Sequence, residues 1–193
     1  MTPTASSSKL WATLNPLARY STPIVALLLW ATALSVHGDD NRAPDVPAAL
    51  QVPDGNKVSY HAFAVGVQIY VATPSITDPT TLVWTFRAPE AVLFDNDGDV
   101  VGIHYAGPTW ESESGSKVVG ARVSGVTVDA TAIPWLLLRA VSTEDPGVLE
   151  RTTYIHRVNT VGGLAPTAAP TQAGQEARVP YTADYYFFRA SLH

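Results

Sequence analysis

The sequence predicts an all-β fold: a single antiparallel β-sandwich or barrel-like domain with long loops and little helix outside an amino-terminal signal segment. Three observations carry this. The dominant hydrophobic period is two, the signature of strands with one covered face. Turn clusters rich in Gly, Pro, Asn and Asp recur between the apolar runs at roughly even spacing. Fifteen prolines in 193 residues fall in nearly every connection and break any helix longer than a few turns.

Residues 1–38 read as a signal peptide. They hold Lys9 and Arg19 and no carboxylate, followed by the apolar run Ile24 to Leu34, which is about half of what a bilayer span needs. Small residues at Val36-His37-Gly38 suit a cut before Asp39. Residues 39–47 are polar and Pro-rich and are expected to be a flexible leader, with the β domain covering 48–193. In order along that domain, Val67, Ile69 and Val71 alternate with Gln68 and Tyr70. Leu82, Trp84 and Phe86 alternate with Val83, Thr85 and Arg87 in a half-buried strand stopped by Pro89. Val101, Ile103 and Tyr105 alternate with Val100, Gly102 and His104. Pro134 to Ala140 fits either a short helix or a fully buried strand. Residues 162–179 read as a long surface connection, and Tyr185 to Phe188 as a strand covered on both faces. Turns are expected at Pro53-Asp54-Gly55-Asn56, at Asp95 to Asp99, at Glu113 to Ser116 and at Asp145-Pro146-Gly147.

Composition narrows the function. The net charge is −5, with 12 basic against 17 acidic residues, and it becomes −7 once Lys9 and Arg19 leave with the signal. That balance offers no electrostatic footprint for nucleic acid. Zero cysteines exclude a disulfide scaffold, a zinc ribbon, an iron–sulfur site and a cysteine nucleophile. Dinucleotide and phosphate-loop glycine motifs, Gly-x-Ser-x-Gly and His-Glu-x-x-His are all absent, so no cofactor is expected. No second apolar run of spanning length follows the signal segment, and no stable membrane span is expected after its removal.

Three groups of residues carry candidate chemistry. Asp95, Asp97 and Asp99 alternate as in calcium loops, but Val100 and Ala106 stand where an EF-hand needs Gly and Glu, so a hairpin turn explains the same letters. The stretch His104 to Glu113 gathers His104, Tyr105, Trp110, Glu111 and Glu113 at a strand end and its loop, the presumed ligand edge. In it His104 could pair with Glu111, or with the turn residue Asp99, as base and acid or at a metal. The third group is aromatic: Tyr60, Tyr70, Trp84, Tyr105, Trp110, Tyr181, Tyr185 and Tyr186. Most are expected in the core, and Trp110 is expected to be accessible, where an indole face could stack on a sugar.

Several stretches together resemble the secreted bacterial and fungal family catalogued as domain of unknown function 3455. They are Gly66 to Tyr70, Trp84 to Ala91, Gly102 to Glu111, Ile133 to Leu138, Arg157 to Gly163 and Val179 to Phe187, and the resemblance spans about residues 46–189. It implies export but no activity. The malate dehydrogenase label on some fungal relatives has no counterpart here, because the dinucleotide fingerprint is missing. Relatives tend to carry one Cys near the place of Ala72 and another in the region of Ala165 to Pro170. The resemblance thus implies a disulfide that this chain lacks.

The expectation is an exported, non-catalytic binding or extracellular structural protein, taking a small-molecule or glycan ligand. The alternative is a small hydrolase or metal-assisted enzyme using His104 with Glu111 or Asp99.

Overall fold

The computed structural model describes residues 42–191, so the expected signal peptide lies outside the described residues. Eight antiparallel strands make up the domain: β1 (Asn56–Pro74), β2 (Leu82–Phe94), β3 (Val100–Tyr105), β4 (Thr109–Ser112), β5 (Lys117–Val126), β6 (Trp135–Glu144), β7 (Thr152–Gly162) and β8 (Glu176–Ala190). Each strand pairs with its neighbours in sequence, and β8 returns to pair with β1, closing an up-and-down barrel. Among the described residues, helix is confined to a single 3-10 turn at Ala48–Leu50. None is long and apolar enough, among the described residues, to cross a membrane.

The barrel wall is uneven. β1 pairs with β8 from Asn56 to Val71 and with β2 from Phe63 to Pro74. By contrast, β3 and β4 meet only over Gly102–Tyr105, and β4 meets β5 only over Thr109–Glu111. β2 continues through Pro89 rather than ending there. Pro89 pairs with Gln68 of β1, while the ladder to β3 starts only at Ala91. A residue with no backbone N–H is tolerated where a strand has a single neighbour. Pro134 begins no helix: Trp135–Glu144 is strand β6, laddered to both β5 and β7. The long connection before β8 shrinks to residues 163–175, because β7 runs through Gly162 and β8 begins at Glu176.

Two hydrophobic clusters hold the barrel. Inside it, Ala62, Ala64, Leu93, Trp110, Val118, Leu138, Leu149, Ile155, Tyr185 and Phe187 form a continuous core. The small side chains of Ala62 and Ala64 leave room for the large rings of β4 and β8. The second cluster lies where the segment before β1 packs on β6 and β7: Val46 and Leu50 meet Leu137 and Val158. Of the stretch expected as a flexible leader, residues 42–47 are described. Val46 among them is buried, and its carbonyl accepts from Gln51 Nε2 at 3.1 Å.

Two of the alternating runs face the opposite way from their apolar letters. In β3 the buried residues are Gly102 and His104, while Ile103 is 45% exposed. Ile103 sits beside Val92 of β2, which sits beside Val65 of β1, as an apolar row on the outer surface. In β1, Gln68 and Tyr70 are buried, and a register irregularity between Ile69 and Tyr70 buries Ile69 as well. In β2 the expected half-burial is slight, with Phe86 51% exposed.

Candidate functional site: the open mouth of the barrel

The up-and-down topology gathers the carboxyl ends of β1, β3, β5 and β7 and the amino ends of β2, β4, β6 and β8 at one end of the barrel. There the core stops short and leaves a cavity of about 530 Å³. Its lining comes from every strand or its flanking turn: Gln68 and Tyr70; Phe86 and Pro89; His104; Pro108 and Trp110; Gly120 and Arg122; Pro134, Leu136 and Leu138; Arg157; and Tyr185. The opposite end is filled by Leu93, Val118, Leu149 and Phe187. A pocket in the mouth of a barrel, of a size that suits one small molecule, is the usual placement of ligand sites on such folds.

The floor of the cavity is a stack of rings. His104 and Trp110 are cross-strand partners and lie nearly parallel, with centroids 4.3 Å apart and planes 10° apart. Tyr185 meets both edge-on, 5.0 Å from His104 and 5.2 Å from Trp110. His104 Nδ1 lies 2.8 Å from the carbonyl of Thr109, which can only accept, so this nitrogen carries the proton and Nε2 is left as an acceptor. Burial pushes the imidazole pKa down to about 3, against a weaker opposing pull from the Thr109 carbonyl. His104 is therefore neutral at any physiological pH.

The wall carries the charge. Arg157 donates from Nε and Nη2 to the Pro134 carbonyl, at 3.2 and 2.8 Å, and its charge lies close enough to the Tyr185 hydroxyl to act on it. Thr160 donates to the neighbouring Ile133 carbonyl at 2.6 Å, so the loop before β6 is clamped to β7 as one side of the rim. Tyr70 donates to the Gly163 carbonyl at 2.7 Å and holds the start of the last loop. Tyr181 and Tyr185 have their hydroxyls 3.5 Å apart, and burial raises the pKa of both, so neither ionises to neutralise Arg157. No Asp or Glu lines the cavity. One buried donor there, Trp110 Nε1, has no hydrogen-bond partner.

The residues singled out from sequence scatter around this site. His104 and Trp110 are part of it. Trp110, expected to be accessible, is 1% exposed, because only Ala106, Gly107 and Pro108 separate β3 from β4 and the indole points into the barrel. It therefore offers no open face to a sugar. Glu111 is next to Trp110 along β4 and so belongs to the other face of the sheet, where it accepts from Tyr105 at 2.9 Å and meets Lys117 at 3.7 Å. Asp99 precedes the far end of β3, and Glu113 is exposed beyond the far end of β4. His104 is thus brought together with neither Glu111 nor Asp99. Asp95 Oδ1 accepts from the backbone N–H groups of Asp97 and Asp99, at 3.0 and 2.9 Å, with Gly98 in the left-handed region (φ 85°): a hairpin turn closed on itself. Among the described residues, no three His, Asp or Glu side chains gather where they could hold a metal ion. His61 and His156 belong elsewhere: His61 stacks on Tyr186 at 4.2 Å, and His156 Nε2 donates to the Leu50 carbonyl at 2.7 Å.

The residues that sequence reasoning passed over are Gln68 and Arg157 as site residues, with Arg122 at the rim. The signal was present: Gln68 sits inside an apolar strand run, and Arg157 lies between His156 and Val158 in another. A polar residue on the face that turns inward is where a lumen shows itself.

No curated protein and no solved structure matches the chain. Residues 53–189 match the family described as a protein of unknown function (DUF3455), and the chain belongs to that family.

Proposed function

We propose that the barrel mouth binds one small, largely apolar molecule without transforming it, and that the domain does so after export. The observation that carries the reading is the cavity itself: about 530 Å³, walled by Tyr70, Phe86, Trp110, Pro134, Leu136 and Leu138, in a barrel whose other end is filled. Drug-sized ligands occupy pockets of about 300–1,000 Å³ lined in this way, with a few polar groups to fix orientation. Catalysis lacks its parts, since the only buried imidazole at the site is neutral, hydrogen-bonded to a backbone carbonyl and without a carboxylate partner. Export rests on the character of residues 1–38 in the sequence.

The test is fluorescence titration of the purified protein with N-phenyl-1-naphthylamine, an uncharged apolar dye that brightens out of water. One saturable site per chain is expected. Leu136→Trp, which fills the cavity from its wall, should abolish that site with little change in melting temperature. Absence of a saturable site, or a site that survives in Leu136→Trp, contradicts the reading.

A further inference from the structure

Resting on the proposed reading of the mouth, the geometry points to the class of ligand: we infer that it is an apolar molecule bearing a single anionic group, such as a carboxylate or sulfonate, which Arg157 receives inside the barrel.

The argument begins with an imbalance. The chain is acidic overall, with 17 carboxylates against 12 basic residues, yet the cavity is lined by Arg87, Arg122 and Arg157 and by no carboxylate. Arg87 is neutralised by Glu176 at 3.1 Å, and it lies on the exposed outer part of β2. Arg157 differs. It is half-buried, it donates to the Pro134 carbonyl, and it forms no ion pair among the described residues. A partly buried arginine without a counter-charge is a ready receptor for a ligand that brings one. The tyrosines around it cannot supply one, because burial keeps Tyr181 and Tyr185 protonated, and His104 is neutral.

The second observation is independent of the first. Trp110 Nε1 is fully buried, belongs to a residue that lines the same cavity, and donates to nothing. A buried donor left unpaired is uncommon and costs about 1–3 kcal/mol. Both features, a guanidinium without a counter-charge and an indole N–H without an acceptor, call for an anionic acceptor. An oxyanion is the complement: a planar guanidinium matches a carboxylate or sulfonate, and the indole N–H suits a remaining lone pair. The apolar wall at Phe86, Leu136 and Leu138 then takes the body of the molecule.

A matched pair of probes tests this. 8-Anilinonaphthalene-1-sulfonate is N-phenyl-1-naphthylamine with one sulfonate added, so the ratio of their dissociation constants reads the anionic group alone. The protein should bind the sulfonate about tenfold or more tightly than the neutral dye. In Arg157→Met the ratio should fall to about one, with the neutral dye still bound. Arg157→Lys, which keeps the charge and one donor to the rim, should retain a preference for the sulfonate, and it decides the matter if Arg157→Met does not fold. Arg139→Met, at an exposed arginine outside the cavity lining, should leave the ratio unchanged. Equal binding of the two dyes by the unmodified protein overturns the inference while leaving the mouth as a neutral pocket. A preference that persists in Arg157→Met overturns the role of Arg157, and binding of neither dye overturns the reading of the mouth itself.

Discussion

His104 and Trp110 face each other across β3 and β4 with their rings stacked 4.3 Å apart, and the imidazole is held neutral by burial while its Nδ1–H is spent on the Thr109 carbonyl. This one contact sets the floor of the mouth, orients the indole N–H and ties stability to pH. In the unfolded chain a histidine titrates near 6.5, whereas in the barrel His104 titrates at about 3. The unfolded state therefore binds the extra proton first. The stabilising contribution is complete above pH 6.5 and is lost as pH falls toward 3, at no more than about 1.4 kcal/mol per pH unit. His104→Phe keeps a ring on Trp110 but leaves the Thr109 carbonyl without its donor. It should be less stable at pH 7 by about 1–3 kcal/mol. Between pH 6.5 and 4, however, it should lose less stability than the unmodified protein, a difference that urea unfolding at several pH values measures directly. His156, whose pKa burial also lowers, contributes equally to both curves and cancels.

Two glycines that look alike in sequence should respond differently. A Cβ on Gly66 would lie against the Glu90 carbonyl oxygen and 2.5 Å from the Ala91 Cα, both backbone atoms of the neighbouring strand. A Cβ on Gly120 would lie 3.0 Å from Trp110 Cζ3 and 3.3 Å from Leu138 Cδ2, both side-chain atoms. Backbone in a central ladder cannot move aside, whereas ring and methyl ends can. Gly66→Ala should cost about 3 kcal/mol or prevent folding, and Gly120→Ala about 1 kcal/mol. Urea midpoints check the order; a Gly66→Ala protein as stable as Gly120→Ala would contradict the β1–β2 register.

The family match begins at residue 53, yet the fold begins earlier. Leu50 is fully buried against Leu137 and Val158, and its carbonyl is the acceptor for His156. Leu50→Ala should destabilise by about 2–4 kcal/mol, as a core truncation does. A chain starting at residue 53 should lose at least as much, since it exposes the outer apolar face of β6 and β7 and leaves His156 without its acceptor. Equal melting temperatures for chains starting at 42 and 53 would show that the strap contributes nothing.

The last loop is held without a disulfide. Its holding contacts come from β1 and β2 as well as β8: Trp84 Nε1 donates to the Ala168 carbonyl at 2.9 Å, Gly174 N–H donates to the Ala72 carbonyl, and Ala72 N–H donates to the Gln175 carbonyl. Trp84 is also the direct cross-strand partner of Ala72. Pairing Ala72→Cys with Ala168→Cys should raise the melting temperature under oxidising conditions only, by several degrees for a stabilisation of about 2–4 kcal/mol. Trp84→Phe should instead speed amide exchange across residues 163–175 and leave the core strands protected.

The all-β character was legible because period two survives in almost every strand. Closure was not, since a sandwich and a barrel ask the same alternation of each strand and differ only in the pairing of β8 with β1. The site was half legible. His104 and Trp110 stood out by chemistry, but the alternation alone does not say that Ile103 is the exposed residue and His104 the buried one. At the barrel mouth the apolar-inward rule reverses: Gln68, His104 and Arg157 turn inward, while Val65, Val92 and Ile103 stay at the surface. Local rules fail where the inside of a fold is left partly unfilled. Glu111 misled for a related reason, because being next to Trp110 in sequence places it on the opposite face of the sheet.

The central claim, that the mouth takes a small molecule against the His104–Trp110 floor, is tested most directly by the indole N–H signals in nitrogen-15 NMR during titration with N-phenyl-1-naphthylamine. The Trp110 signal should move and saturate at one dye per chain, because its unpaired Nε1 is buried beside the cavity, while Trp135, packed in the outer cluster, stays still. A Trp110 signal that does not move at saturating dye, or one that moves no more than that of Trp135, contradicts the account.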